Sequence, residues 1–301
     1  MKRYSLSNVV KVADDIYKID VQLAATDRPL VSYLVAGNPA ALIDNGPAST
    51  IPAMLEGLRQ IGQDPKQIAY IIPTHIHLDH AGGAGKLTRL WPWTQVLFHE
   101  QGVRHMTDPT KLIASTKKAF GDNFEDIFGP ILPVAEAQVK VVKGGETLHL
   151  GKRELKIVYS PGHAPHHICV FQSLDRVLFC GEALGLPWGE TDNVIPTAIP
   201  PGFDLELALD TYDKLEKLLP SILIYAHDGV SGDVARRIQA VRVTTRRVGD
   251  VILAGMKAGK DEAEICRLVE KRLAEDGFPG IAVQASSLVA GYIFYYKKSG
   301  I

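Results

Sequence analysis

Cysteine is scarce in this chain. There are three in 301 residues, Cys169, Cys180 and Cys266, and no Cys-x-x-Cys. That excludes a disulfide framework and a zinc ribbon and reads as reduced thiols in a cytoplasmic protein. Charge bias is also missing, with 33 Lys+Arg against 34 Asp+Glu. A balanced total gives no electrostatic ground for binding nucleic acid or an anionic membrane. No apolar run approaches the roughly 20 residues of a membrane span, so no membrane partner is expected. The opening Met1-Lys-Arg-Tyr-Ser-Leu-Ser-Asn8 leads into no long apolar stretch, so no secretory signal is expected. There is no low-complexity segment or obvious repeat, and no Gly-x-Ser-x-Gly that would place a serine nucleophile on a sharp turn.

What is present is enough apolar residue, 46% of the chain, to build a sizeable core. The N-terminal part reads as strands at 9–12, 15–21, 30–36 and 40–44, rich in β-branched and aromatic residues. A helix is expected over 48–61, stopped by Gly62, followed by a buried strand at 68–72, a helix at 84–90 and a strand at 95–98. Residues 100–135 interrupt the alternation and read as an inserted pair of amphipathic helices, 110–120 and 124–128. A second block of strands follows at 139–142, 146–150, 154–159, 168–171 and 176–180, then a helix over 205–218 and a strand at 222–225. From Ser231 onward the pattern is helical only. Two blocks of strands, each with helices, predict an α+β fold in which two sheets pack together with helices outside. The expected division is a domain over 1–230 and a helical extension over 231–301.

Chemistry concentrates in Pro73-Thr-His-Ile-His-Leu-Asp-His-Ala-Gly-Gly83, directly after the apolar strand at 68–72. Imidazole and carboxylate are the usual nitrogen and oxygen ligands of zinc and related divalent metals. His75 and His77 can converge on one ion, and Asp79 and His80 can face a neighbouring position. Four ligands in one loop do not fill two metal shells. Three further strand ends offer ligand-type side chains: Ser160-Pro-Gly-His163, Gly181-Glu182 and Ala226-His227. Ligands mounted on the ends of rigid strands are how such a site is assembled.

These residues, with Ile43-Asp44-Asn45-Gly46, occur in an order that resembles the metallo-β-lactamase superfamily over about residues 9 to 230. The resemblance implies a four-layer αββα sandwich with two divalent metals at one edge, zinc first, iron or manganese as alternatives. It implies that His75, His77 and His163 hold one metal, that Asp79, His80 and His227 hold the other, and that Glu182 bridges them. The family usually has aspartate at the bridging position, so Glu182 is a departure that keeps the charge and adds a methylene. Asp44 matches a carboxylate that orients a ligand histidine. His167 matches a hydrogen-bonded neighbour of the ligands. No function is assigned to His99, His105 or His149.

Two metals about 3.5–4 Å apart share a water and lower its pKa, so that a hydroxide attacks a carbonyl or phosphoryl centre near neutral pH. Asp79 would orient that hydroxide and is the catalytic candidate. The segment after Glu182, running through Trp188 to Pro201, is proline-rich and apolar, and Trp188 either walls a substrate pocket or packs the loop. An apolar lining fits an ester, lactone or thioester small molecule better than a polyanion. Family lactonases often carry a tyrosine three residues after the bridging carboxylate; here that residue is Gly185. Glutathione thioesterases carry basic residues in the same loop; here there are none between Glu182 and Asp213. The other readings are a phosphodiesterase or nuclease, a mononuclear iron oxygenase, and a binding protein without catalysis. The arginines at 236, 237, 242, 246 and 247 read as a solvated helix face, so nucleic acid is not an expected partner. The apolar stripe at 287–296 reads as packing against the preceding helix or as a homodimer contact.

Overall fold

The computed structural model describes residues 8–23, 29–189, 191–227 and 229–301. The stretch 1–7, read above as carrying no export signal, lies outside the described residues. Seven strands form one sheet in chain order: β1 (Val9–Ala13), β2 (Ile16–Asp20), β3 (Val31–Val35), β4 (Ala40–Ile43), β5 (Ile68–Ile72), β6 (Gln95–His99) and β7 (Val139–Val142). The first four run antiparallel. From β4 to β7 neighbours are parallel, because helices carry the chain back between them. Those helices are α1 (Ile51–Ile61), α2 (Leu78–Ala81), α3 (Ala84–Leu90), α4 (Glu100–Thr107), α5 (Thr110–Phe120) and α6 (Phe124–Phe128).

The second sheet has the order β15-β14-β11-β10-β9-β8. Its strands are β8 (Thr147–Leu150), β9 (Arg153–Tyr159), β10 (Ile168–Gln172), β11 (Val177–Gly181), β14 (Ile222–Tyr225) and β15 (Val230–Ser231). A hairpin of β12 (Leu186–Pro187) and β13 (Val194–Ile195) and the helix α7 (Leu205–Glu216) lie between β11 and β14, which pair in parallel. Three helices complete the chain: α8 (Val234–Lys257), α9 (Glu262–Glu275) and α10 (Ala282–Lys298).

Side chains alternate across each strand, and this divides the apolar residues among three cores. Tyr33, Val35, Ala41 and Ile43 point at the second sheet and meet Leu155, Ile157, Val170, Phe179 and Ile224 there. Leu34 and Leu42 point the other way, into a core with Met54, Leu58, Leu87 and Phe128 from the first set of helices. On the second sheet, Leu178, Cys180, Leu223 and Tyr225 face outward to Tyr212, Ile238, Val248, Val289 and Tyr292 of α7, α8 and α10. Each buried aliphatic or aromatic side chain contributes about 1.5–3 kcal/mol. The result is the expected α+β sandwich, helices–sheet–sheet–helices.

Three local features depart from the sequence reading. Ser231 does not open the helical tail; it pairs with Leu223 in β15, and the helix starts at Val234. Residues 100–107 form α4, whose entry is capped by His99, the ring accepting from Gln101 N at 3.4 Å. The proline-rich segment contains the short hairpin β12–β13. Among the described residues, no helix is long and apolar enough to cross a membrane.

The topology fixes where chemistry collects. β4, β5 and β6 are parallel, so their carboxyl ends share one edge. In the second sheet β9 and β11 are both antiparallel to β10, and β11 is parallel to β14, so the carboxyl ends of these three also lie together. Tyr33, whose hydroxyl donates to Tyr225 O at 2.7 Å, joins the two sheets near that edge.

Candidate metal centre

Each residue singled out in the motifs is delivered by one of these strand ends. Asp44 follows β4 and takes a left-handed backbone, φ 50°. Its Oδ1 accepts from Thr74 N at 2.7 Å and from Thr74 Oγ1 at 3.0 Å, which pins the loop leaving β5. His75 and His77 lie in that loop; Asp79 and His80 lie in α2, whose first turn closes on the His77 carbonyl. His163 follows β9, Glu182 follows β11 and His227 follows β14. Gly181 precedes Glu182 with φ 53°, and a Cβ there would lie 2.7 Å from both His167 Nε2 and Thr74 Oγ1. Only glycine lets the strand end so close to those two side chains.

The side chains form two groups. In one, His75 Nε2 lies 2.8 Å from His77 Nδ1, and His163 Nε2 lies 3.3 and 3.2 Å from those two atoms. In the other, Asp79, His80, Glu182 and His227 bring their ligand atoms within 4.8 Å of one another. Glu182 touches both: Oε1 is 2.7 Å from His227 Nε2 and Oε2 is 3.0 Å from His163 Nε2. His80 Nδ1 meets Asp44 Oδ2 at 3.2 Å as an ion-pair contact. All seven proposed ligands are therefore brought together, with Asp44 beside them.

Hydrogen-bond partners set the tautomers. Thr74 Oγ1 donates to Asp44 and so accepts from His75 Nδ1, at 3.1 Å. His163 Nδ1 donates to Thr197 O at 3.2 Å, and His227 Nδ1 donates to Pro29 O at 3.1 Å. Each of these rings therefore turns Nε2 toward the cluster. His167 Nε2 accepts from Glu182 N at 3.2 Å, so this ring holds the Glu182 turn, as a neighbour of the ligand set. The Trp188 ring lies 5.9 Å from Phe278 and is partly buried against the core shared with α8–α10. Thr74, Thr197 and Pro29 carried no assignment in the sequence, and two of them act through main-chain carbonyls, which no residue type announces.

The electrostatics differ between the groups. Burial, then the neighbouring imidazoles, pushes His75 well below its ordinary value and His77 down to about 4. Burial lowers His80, but Asp79 and Asp44 outweigh it and hold this imidazole well above its usual range. Burial likewise lowers His227, but its bond to Glu182 raises it overall. Burial raises Asp79 and Glu182, yet the facing imidazoles keep both below the usual carboxylate range.

These features fit divalent ions. A tetrahedral shell with bonds of about 2.0–2.1 Å to nitrogen has ligand–ligand edges of about 3.3 Å, close to the three imidazole separations. His80 Nε2 and Glu182 Oε2 are buried with no hydrogen-bond partner among the described residues. A cation would satisfy both, displacing the protons that His80 and His227 otherwise hold. The donor set of imidazole and carboxylate suits zinc, iron or manganese. The thiols take no part: Cys169 and Cys180 are buried, and burial pushes Cys169 up to about 12.

The chain is similar to several known proteins. The chain is 30% identical over 167 residues to the metallo-beta-lactamase fold-containing protein ST1585 of Sulfurisphaera tokodaii, covering 54% of this chain and 62% of that protein. It is 28% identical over 177 residues to an N-acyl homoserine lactonase of Bacillus thuringiensis, covering 57% and 60%. The matches thus span about three fifths of the length of these two relatives. The structure of metallo-beta-lactamase family protein TTHA1429 from Thermus thermophilus superposes with a TM-score of 0.73 at 21% identity, over 96% of this chain and 95% of that one. The family model described as the metallo-beta-lactamase superfamily matches residues 25–227, which include every strand end that carries a candidate ligand, and the chain belongs to that superfamily.

Proposed function

We propose that this protein is a hydrolase of ester-, lactone- or thioester-type small molecules that works with two divalent ions, zinc first. One observation carries the reading: the two oxygens of Glu182 reach one into each ligand group, at 2.7 and 3.0 Å. His75, His77 and His163 would bind one ion, and Asp79, His80 and His227 the other. When bound, the pair supplies an acidified water as nucleophile and polarises the electrophilic oxygen of the substrate. Asp79, the most exposed carboxylate of the set at 26%, would accept a hydrogen bond from that water and orient it. Asp44, Thr74, Thr197 and Pro29 keep the ligand rings in one tautomer, so that their lone pairs need no reorganisation.

The acyl class is supported by what faces away from charge. No lysine or arginine lies between Glu182 and Asp213, and Ile199 offers a 40% exposed apolar side chain in that stretch. A polyanionic substrate would find no basic side chain within that stretch itself, and Arg236, which reaches it from α8, is already paired with Asp192. The tyrosine expected of some lactonases has no room at Gly185, where a Cβ would sit 2.3 Å from Ile195 O. A lactone substrate would therefore be polarised without that hydroxyl.

The test is elemental analysis of protein purified without a metal-affinity tag, followed by a panel of chromogenic esters, lactones, thioesters and phosphodiesters. Near two equivalents of metal and acyl turnover are expected. Turnover of phosphodiesters alone would overturn the substrate class. A single iron, or no metal that can be restored, would overturn the dinuclear hydrolase.

A further inference from the structure

The segment between Glu182 and α7 reaches back to the ligands through one residue. Thr197 accepts from His163 Nδ1 with its carbonyl at 3.2 Å and donates its hydroxyl to Glu182 O at 3.1 Å. It thus touches a member of each ligand group. The next residue, Ala198, is 2% exposed and lies against Gly291 of α10. A Cβ on Gly291 would come within 2.5 Å of Ala198 O and 2.6 Å of its carbonyl carbon.

The rest of the segment is also held by the C-terminal helices. The Phe203 ring meets Tyr292 at 4.6 Å and Tyr295 at 6.3 Å. Asn193 Nδ2 donates to Asp276 O at 3.3 Å and to Gly277 O at 3.1 Å. Asp192 pairs with Arg236 at 2.6 Å. The segment is thus fastened before and after Thr197 by residues distant in the chain, of which the nearest, Arg236, is 44 positions from its partner.

We propose that α10 positions the metal centre: the backbone contact of Gly291 with Ala198 fixes Thr197, and Thr197 fixes the His163 ring and the Glu182 turn. This rests on the reading of those residues as metal ligands. Any side chain at 291 forces Ala198 back by roughly 1 Å to reach an ordinary van der Waals separation. The Thr197 carbonyl, one peptide away, moves with it, and a 3.2 Å hydrogen bond has little length to give. His163 then loses the acceptor that sets its tautomer. Gly291 and Thr197 are positioning residues in this scheme.

The experiment titrates the metal-free full chain with cobalt(II), read by visible absorption, and with zinc against a chromophoric chelator. Gly291→Ala should weaken one equivalent by about 10–100-fold and alter the cobalt spectrum, the usual effect of losing a ligand's hydrogen-bond partner. Gly255→Ala is the control, since its Cβ would meet Ile265 Cγ1 at 2.8 Å, between α8 and α9. It should lower the thermal midpoint and leave affinity and spectrum as in the parent protein. Thr197→Val should weaken binding and Thr197→Ser should restore it, which reads the hydroxyl bond to Glu182 O; if Gly291→Ala does not fold, Phe203→Leu, which loosens the same segment from Tyr292 of α10, should weaken one equivalent in its place. Parent-like binding by Gly291→Ala or Thr197→Val, or an equal loss in Gly255→Ala, would overturn the inference while leaving the metal reading intact. A parent protein that binds no metal would overturn both.

Discussion

Shortening Glu182 to aspartate keeps its charge and removes its reach. One C–C bond is about 1.5 Å, so the carboxylate of Glu182→Asp draws back by roughly that amount. The contacts at 2.7 Å to His227 and 3.0 Å to His163 then pass roughly 3.5 Å, beyond hydrogen-bond or ligand distance. The backbone cannot follow, because Gly181 is held by its pairing with Tyr225 and hemmed in by Thr74 and His167. Glu182→Asp should therefore keep one tight equivalent of metal and weaken the second by about 10–100-fold. Glu182→Gln keeps the length and drops the charge. It should cost the metal-free fold about 1.5–3 kcal/mol, the worth of a hydrogen bond to a charged group. Elemental analysis and cobalt titration read the first effect, and urea unfolding of the chelator-treated protein reads the second. Two tight equivalents in Glu182→Asp would refute the reasoning, since the longer side chain would then have no role in joining the groups.

Other outcomes follow from the same geometry. The metal-free protein should lose stability as pH falls from 6.5 toward 4. His77, held down to about 4, and His166, in the loop between β9 and β10 and pushed down to about 2 by burial, together with His75 and His167, refuse protons when folded and accept them when unfolded. The unfolded chain binds more protons in that window, so each such site removes up to ~1.4 kcal/mol per pH unit, and the depressed Asp79 and Glu182 add the same sign below about 4.5. Urea midpoints that stay flat from pH 6.5 to 4.5 would contradict this. Native protein should show slow reaction of Cys266 alone with a thiol reagent at pH 8, because Cys169 and Cys180 are buried; three fast thiols would contradict the packing of the outer core. Arg153→Met should lower stability by about 1.5–3 kcal/mol, since this nearly buried guanidinium pairs with Asp15 at 2.9 Å and Asp14 at 3.2 Å. A change below about 0.5 kcal/mol in urea unfolding would show that the pairing is screened away.

Much of the fold is visible in the sequence because its signals are local. Ile68–Ile72 is a continuous apolar run, and a strand with two buried faces is written that way. The helix ending at Ile61 is marked by Gly62 in a left-handed cap. The histidine loop is legible for the same reason, with four of the ligand-type residues inside six positions. Less legible are features whose partners are distant. Leu186–Pro187 and Val194–Ile195 are too short to show alternation, and their pairing depends on the helices they rest on. Residues 100–107 become helical through the His99 cap and one thin apolar face, Gly102 and Met106. The part played by Thr197 O and Pro29 O is invisible in principle, because every residue carries a carbonyl.

The two sheets contribute to the site from opposite sides of a seam. His75, His77, Asp79 and His80 come from the first sheet, and His163, Glu182 and His227 from the second. An ion held on either group therefore ties the halves of the sandwich together at the one edge where Tyr33 already joins them. By mass action, free metal at 100 times its dissociation constant adds about 2.7 kcal/mol to the folded state. Scarcity of metal would then act on the fold itself: the seam would open more often, and proteases would meet this chain in proportion to the metal it lacks.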